Sequence, residues 1–141
     1  MGAAKHKNQN ATFTARTTLD PDRVVELAKA AGASVKNSIP GQPFVQYDGG
    51  YPGQLNFSVR NIGGRNVLMT FTTSITEAGG GTTVQTKIDG FKTTQPTWMF
   101  IPVGPKSLVG YSHYKRFVAA LERELKVADT SAAGQLVERP A

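Results

Sequence analysis

Histidine, cysteine and closely spaced carboxylates carry most catalysis and metal binding at neutral pH, and this sequence is poor in all three. It has no cysteine and only two histidines, His6 and His113. His113 stands between Ser112 and Tyr114. A nucleophile–histidine–acid set needs a positioned serine and a carboxylate, and no spacing here singles them out. A zinc site needs at least three His, Cys or carboxylate ligands, which this inventory does not gather. Asp48 and Asp89 lack neighbours at ligand spacing, and Asp89 beside Gly90 reads as a residue that satisfies turn backbone. Gly104-Pro105-Lys106-Ser107 ends like a phosphate-binding loop. The first glycine of that loop is missing, and Pro105 removes a backbone donor where the cradle needs one. Gly79-Gly80-Gly81 precedes strand-like residues rather than a helix, so it reads as a hairpin loop. No cofactor motif is present, and nothing here indicates an enzyme.

The charge balance speaks to partners instead. A formal net charge of +6 over 141 residues, with an isoelectric point near 9.8, favours an acidic partner. The charge is scattered over Arg16, Arg23, Arg60, Arg65, Lys87, Lys92, Lys106, Lys115 and Arg116. Without a block of like charge it reads as solvated surface. Weak nucleic-acid binding is a third-ranked function, because base stacking needs exposed rings. Phe57, Phe71 and Phe100 belong to the face that helices should cover, which leaves only Tyr51 and Phe91 outside. No apolar run approaches the ~20 residues of a membrane span, so no membrane insertion is expected. Met1–Asn10 has no apolar stretch of the secretory kind, and the cytoplasm is the default compartment.

The elements that must position any site follow from periodicity. Residues 1–10 and 129–141 are too polar or too short to pack and are expected to be disordered tails around one domain, 11–128. Ala11, Phe13 and Ala15 alternate with Thr12, Thr14 and Arg16, the period of a half-buried strand. Asp20 as cap and Pro21 at the first helical position start a helix. Val24, Leu27, Ala28 and Ala31 line one face of it, and Gly32 is expected to stop it. Strands follow at Phe44–Tyr47, Leu55–Arg60, Val67–Thr76 and Val84–Asp89, separated by glycine-rich turns. Gly90 marks an expected bulge or bend. Trp98-Met99-Phe100-Ile101 reads as a short strand buried on both faces. The last helix is expected from Ser107 or Gly110 to about Val127, with Tyr111, Tyr114, Phe117, Val118, Leu121 and Leu125 as its apolar stripe. Hairpin-length turns require antiparallel pairing. The sum is an α+β domain: an antiparallel curved sheet of about six strands, with both helices packed on the same face.

That order of elements, over residues 11–128, resembles the helix-grip fold of the START-like (SRPBCC) superfamily, which includes polyketide cyclases and birch-pollen-allergen relatives. The stretch from Ile101 through Gly104-Pro105-Lys106-Ser107 to Tyr111, leading into Tyr114-Lys115-Arg116-Phe117, is similar to short bacterial members of it. The resemblance implies an apolar cavity between sheet and terminal helix. Its lining would be Phe57, Met69, Phe71, Ile88, Trp98 and Phe100 from the sheet. Tyr111, Tyr114, Phe117, Val118 and Leu121 would come from the helix. The implied function is non-catalytic binding of a small hydrophobic or amphipathic ligand there. The alternative is a structural or protein-interaction module whose core is simply filled, since these side chains are bulky enough to close the space themselves.

Overall fold

The computed structural model describes residues 10–36, 44–51, 53–61, 67–91, 93–94, 97–99, 101–102 and 107–138. In chain order these form β1 (Thr12–Thr17), α1 (Pro21–Lys36), β2 (Phe44–Tyr51), β3 (Gln54–Arg60), β4 (Val67–Ala78) and β5 (Gly81–Phe91). Then come β6 (Thr93–Thr94), β7 (Thr97–Trp98), β8 (Ile101–Pro102), β9 (Ser107–Leu108), α2 (Tyr111–Ala128) and β10 (Ala133–Val137). An open six-stranded sheet runs in the order β10-β1-β5-β4-β3-β2, antiparallel throughout. The α+β class, the antiparallel pairing and five of the six strands are as the periodicity predicts; the sixth strand, β10, is not the expected one.

α1 begins as its sequence requires: the Asp20 side chain accepts a hydrogen bond from the Arg23 backbone N–H at 2.8 Å. It does not stop at Gly32. It continues to Lys36, and Gly32 is buried within it. The reason is close approach rather than termination. A Cβ on Gly32 would lie 3.0 Å from Phe57 Cε1. Gly32→Val is therefore expected to destabilise the fold by about 1–3 kcal/mol through overpacking, read as a lowered urea midpoint. An unchanged midpoint would mean that Phe57 yields freely.

α2 starts at Tyr111, not at Ser107, because Ser107 and Leu108 pair with Thr94 and Thr93 as β9 on β6. Gly110 precedes it at φ 84, and a Cβ there would sit 3.3 Å from Val59. Only glycine fits both demands. The Gly90 expectation also holds: the register shifts between Thr70 and Phe71, so that Asp89 becomes the extra residue beside Gly90.

Two expectations are corrected. The apolar run Trp98–Ile101 is no buried strand. β7 and β8 form a tight hairpin outside the main sheet, turning at Met99 (φ 50), with Met99 71% and Ile101 58% exposed. Residues 129–138 are no disordered tail either, because β10 is the edge strand of the sheet and pairs with β1 from Ala133↔Arg16 to Val137↔Thr12; residues 139–141 lie outside the described residues. Gly134 gives room for the Phe13 ring, which would lie 2.8 Å from a Cβ. The expected tail over residues 1–9 lies outside the described residues.

β10 is held in place by Asp129. One carboxylate oxygen accepts from Thr17 Oγ1 (2.7 Å), the Thr18 backbone N–H (2.8 Å) and Thr18 Oγ1 (3.0 Å). The other accepts from the Ser131 hydroxyl (2.6 Å) and its backbone N–H (3.0 Å). These donors, the Ser131 hydroxyl first, then the Thr18 N–H and the Thr17 hydroxyl, hold the carboxyl well below the usual carboxylate range. A group held low in the folded state contributes stability above its unfolded pKa of about 3.9, and that stability fades as pH falls towards the folded value. The stability difference between wild type and Asp129→Asn should therefore shrink as pH drops below about 4. Urea titrations at neutral and acid pH check this, and a difference that stays constant would contradict it.

Candidate functional site

The inner face of the sheet is set by register. Phe57 stands opposite Phe71 and Val59 opposite Met69, Phe71 opposite Ile88, and Phe13 opposite both Thr86 and Leu136. Both helices cover this face, since Gly32 of α1 meets the Phe57 ring and Phe117 of α2 lies 4.7 Å from it, centroid to centroid. The structure thus brings Phe57, Met69 and Phe71 of the sheet together with Tyr114, Phe117, Val118 and Leu121 of α2 in one buried cluster. Ile88 and Tyr111 pack at the rim of that cluster. Trp98 lies in the β7–β8 hairpin, away from the six-stranded sheet, and its side chain falls outside the described residues, as does Phe100. The strand that carries Trp98 is therefore not a member of that sheet.

These side chains fill the space between sheet and helices. Phe57 and Phe71 stack at 5.4 Å, Phe117 packs 4.9 Å from Phe71, and Tyr114 meets Phe71 edge-on at 5.2 Å. Phe71, Tyr114, Phe117 and Leu121 are 0% exposed, and Phe57 and Met69 1%. A void wide enough for a ligand would give its lining atoms accessible surface, and these have essentially none.

The tyrosine hydroxyls on this face of α2 are engaged by the protein itself. The Tyr114 hydroxyl lies 2.9 Å from the Ala11 carbonyl and 3.0 Å from that of Thr86, so its proton is shared between them. Burial, reinforced by Tyr111 and Asp89, pushes this phenol far above the ordinary tyrosine value, so it remains a donor at any physiological pH. The Tyr111 hydroxyl donates outward to Glu138 at 2.8 Å. Within the core, the Thr73 and Thr86 hydroxyls pair at 3.0 Å.

The outer sheet face is polar and linked laterally. Arg60 bonds Ser58 (2.9 Å) and Asp48 (3.3 Å), and Thr72 donates to Asp89. Tyr51 is 62% exposed, whereas Phe91 packs against the core, so the described residues form no aromatic platform there. A recess of about 290 Å³ on this side is lined by Arg16, Thr17, Thr18, Gly79–Gly81, Ser131 and Ala133. Its hydroxyls from Thr17, Thr18 and Ser131 already donate to Asp129. It serves as the anchor of β10. His113 is half-buried in the first turn of α2, with Ser112 Oγ 3.4 Å from its Nδ1, a contact between chain neighbours. Among the described residues no three His, Asp or Glu side chains gather at a common point. No helix among them is long and apolar enough to cross a membrane.

One feature escapes the sequence reading. Beside the last turn of α1, α2 leaves a notch of about 250 Å³ lined by Ser34, Val35, Arg116, Ala119, Ala120 and Arg123. The i, i+3, i+4, i+7 spacing of its α2 residues was visible in the sequence, but the end of α1 beside them was not.

Comparison with protein-family models, with curated proteins and with solved structures found no match. Function therefore rests on the geometry alone.

Proposed function

We propose that the domain is a non-catalytic protein-interaction module whose interior is structural and whose recognition lies on its surface. The observation that carries this reading is the filled sheet–helix interior: Phe57, Phe71, Tyr114 and Phe117 contact one another and expose no surface. Two helices on one face of an antiparallel sheet support the helix-grip reading of the START-like resemblance, here with the grip closed on its own side chains. Binding of a small hydrophobic ligand would require several of these rings to leave their contacts, against the packing cohesion of a dense core.

The test is a titration of the full chain with fatty acids, flavonoid-like aromatics and polyketide-like rings, followed by amide shifts. No saturable shifts on Phe71, Tyr114, Phe117 or Leu121 are expected. Saturable shifts clustered on those residues would replace this reading with ligand binding.

A further inference from the structure

The basic side chains of the two helices differ in how they are engaged. Arg23 pairs with Glu26 at 3.0 Å, Lys115 with Glu138 at 3.2 Å and Lys126 with Glu122 at 3.4 Å. Lys29 lies 4.9 Å over the Tyr47 ring. Arg116 and Arg123 are exposed, and among the described residues neither has an ion-pair or hydrogen-bond partner. Both line the notch of about 250 Å³ between α2 and the last turn of α1. They are seven residues apart on one helix face, which separates them by about 10.5 Å along the axis.

Between the two arginines the surface is small and partly apolar. Ala119 and Ala120 form the α2 side, Val35 is buried at the base, and Ser34 turns its hydroxyl away to the Ala31 carbonyl at 2.7 Å. Small side chains let another helix come close, at the 8–10 Å axial spacing of packed helices. On such a helix, acidic residues at i and i+7 repeat the same 10.5 Å separation, with small or apolar residues between them facing the alanines. A nucleic-acid backbone would instead call for a continued row of cations, and this notch has a pair with methyl groups between.

Resting on the interaction-module reading, we propose that this notch is the docking site for an acidic amphipathic helix of a protein partner. Arg116 and Arg123 would each hold one carboxylate, two turns apart. Guanidinium groups suit this because their planar fork can hold a carboxylate through two hydrogen bonds.

The experiment uses the full chain and a synthetic helical peptide with two glutamates seven residues apart and alanine and leucine between them. A control peptide of the same composition has the glutamates five apart. Saturable amide shifts at Ser34, Ala119 and Ala120 are expected, weakening with added salt. Arg116→Ala with Arg123→Ala should weaken binding about tenfold. The proposal is overturned if those amides do not shift, if the control peptide binds equally, or if the double variant binds as well as wild type. Tighter binding of a mixed-sequence single-stranded oligonucleotide at the same residues would also overturn it. Such a failure leaves the interaction-module reading standing, since that reading falls only if apolar small molecules shift the core amides.

Discussion

Replacing Phe117 by alanine is expected to cost about 3–5 kcal/mol of folding stability. The Phe117 ring lies 4.7 Å from Phe57 and 4.9 Å from Phe71, and none of its surface is exposed. Truncation removes the transfer free energy of the ring and leaves a void beneath α2. The sheet below is fixed by continuous antiparallel ladders from β2 to β10, so it can collapse into that void only in part. The cost should therefore fall in the upper range for large-to-small core changes. Urea unfolding with an unchanged m-value would report it. Were the interior a ligand-sized cavity, the neighbouring rings would already border open space, and the loss would stay below about 2 kcal/mol.

Leu121→Ala is the second large effect, at about 2–5 kcal/mol, because Leu121 is wholly buried one turn beyond Phe117. Its useful comparison is Val127→Ala on the same helix. Val127 is 79% exposed, so its truncation should change stability by no more than about 0.5 kcal/mol. The contrast measures which stripe of α2 faces the sheet. Equal costs at the two positions would mean that α2 is rotated about its axis from the orientation described here.

Much of this fold is legible in the sequence because most of its strands bury one face only. Alternation along β1, β3, β4 and β5 fixes which side chains point inward, and the register then places Phe57 beside Phe71 as expected. What periodicity lacks is a measure of volume. The same inward rings can line a cavity or fill it, and only their separations decide. Gly32 misleads because glycine answers two different demands, a left-handed helix stop and a close approach, and here Phe57 imposes the second. β10 is hidden because a single large inward residue, Leu136, carries its pattern. Its pairing depends on Asp129 closing onto Thr17 and Thr18, more than a hundred residues away in the chain. The run Trp98–Ile101 misleads in the opposite sense, since apolar composition without alternation suggests burial while Met99 and Ile101 are exposed. As for the notch, its arginines show helical spacing in the sequence, but its other wall exists only once α1 runs past Gly32 to Lys36.

That extension of α1 links the packing of the core to the proposed docking notch. A helix ending at Gly32 would lack Ser34 and Val35, and the α2 arginines would flank an open slope. The close contact of Gly32 with Phe57 therefore helps both to close the core and to bring the notch walls together.

Xenon offers the most direct measurement of the filled interior, because it enters dry apolar voids and shifts the resonances of the groups that line them. Under xenon pressure the wild-type chain should show no saturable shifts at Phe57, Phe71, Tyr114, Phe117 or Leu121. The Phe117→Ala variant, with a void opened beneath α2, should show them at Phe57, Phe71 and Leu121. Saturable xenon shifts at these residues in the wild type would contradict the account.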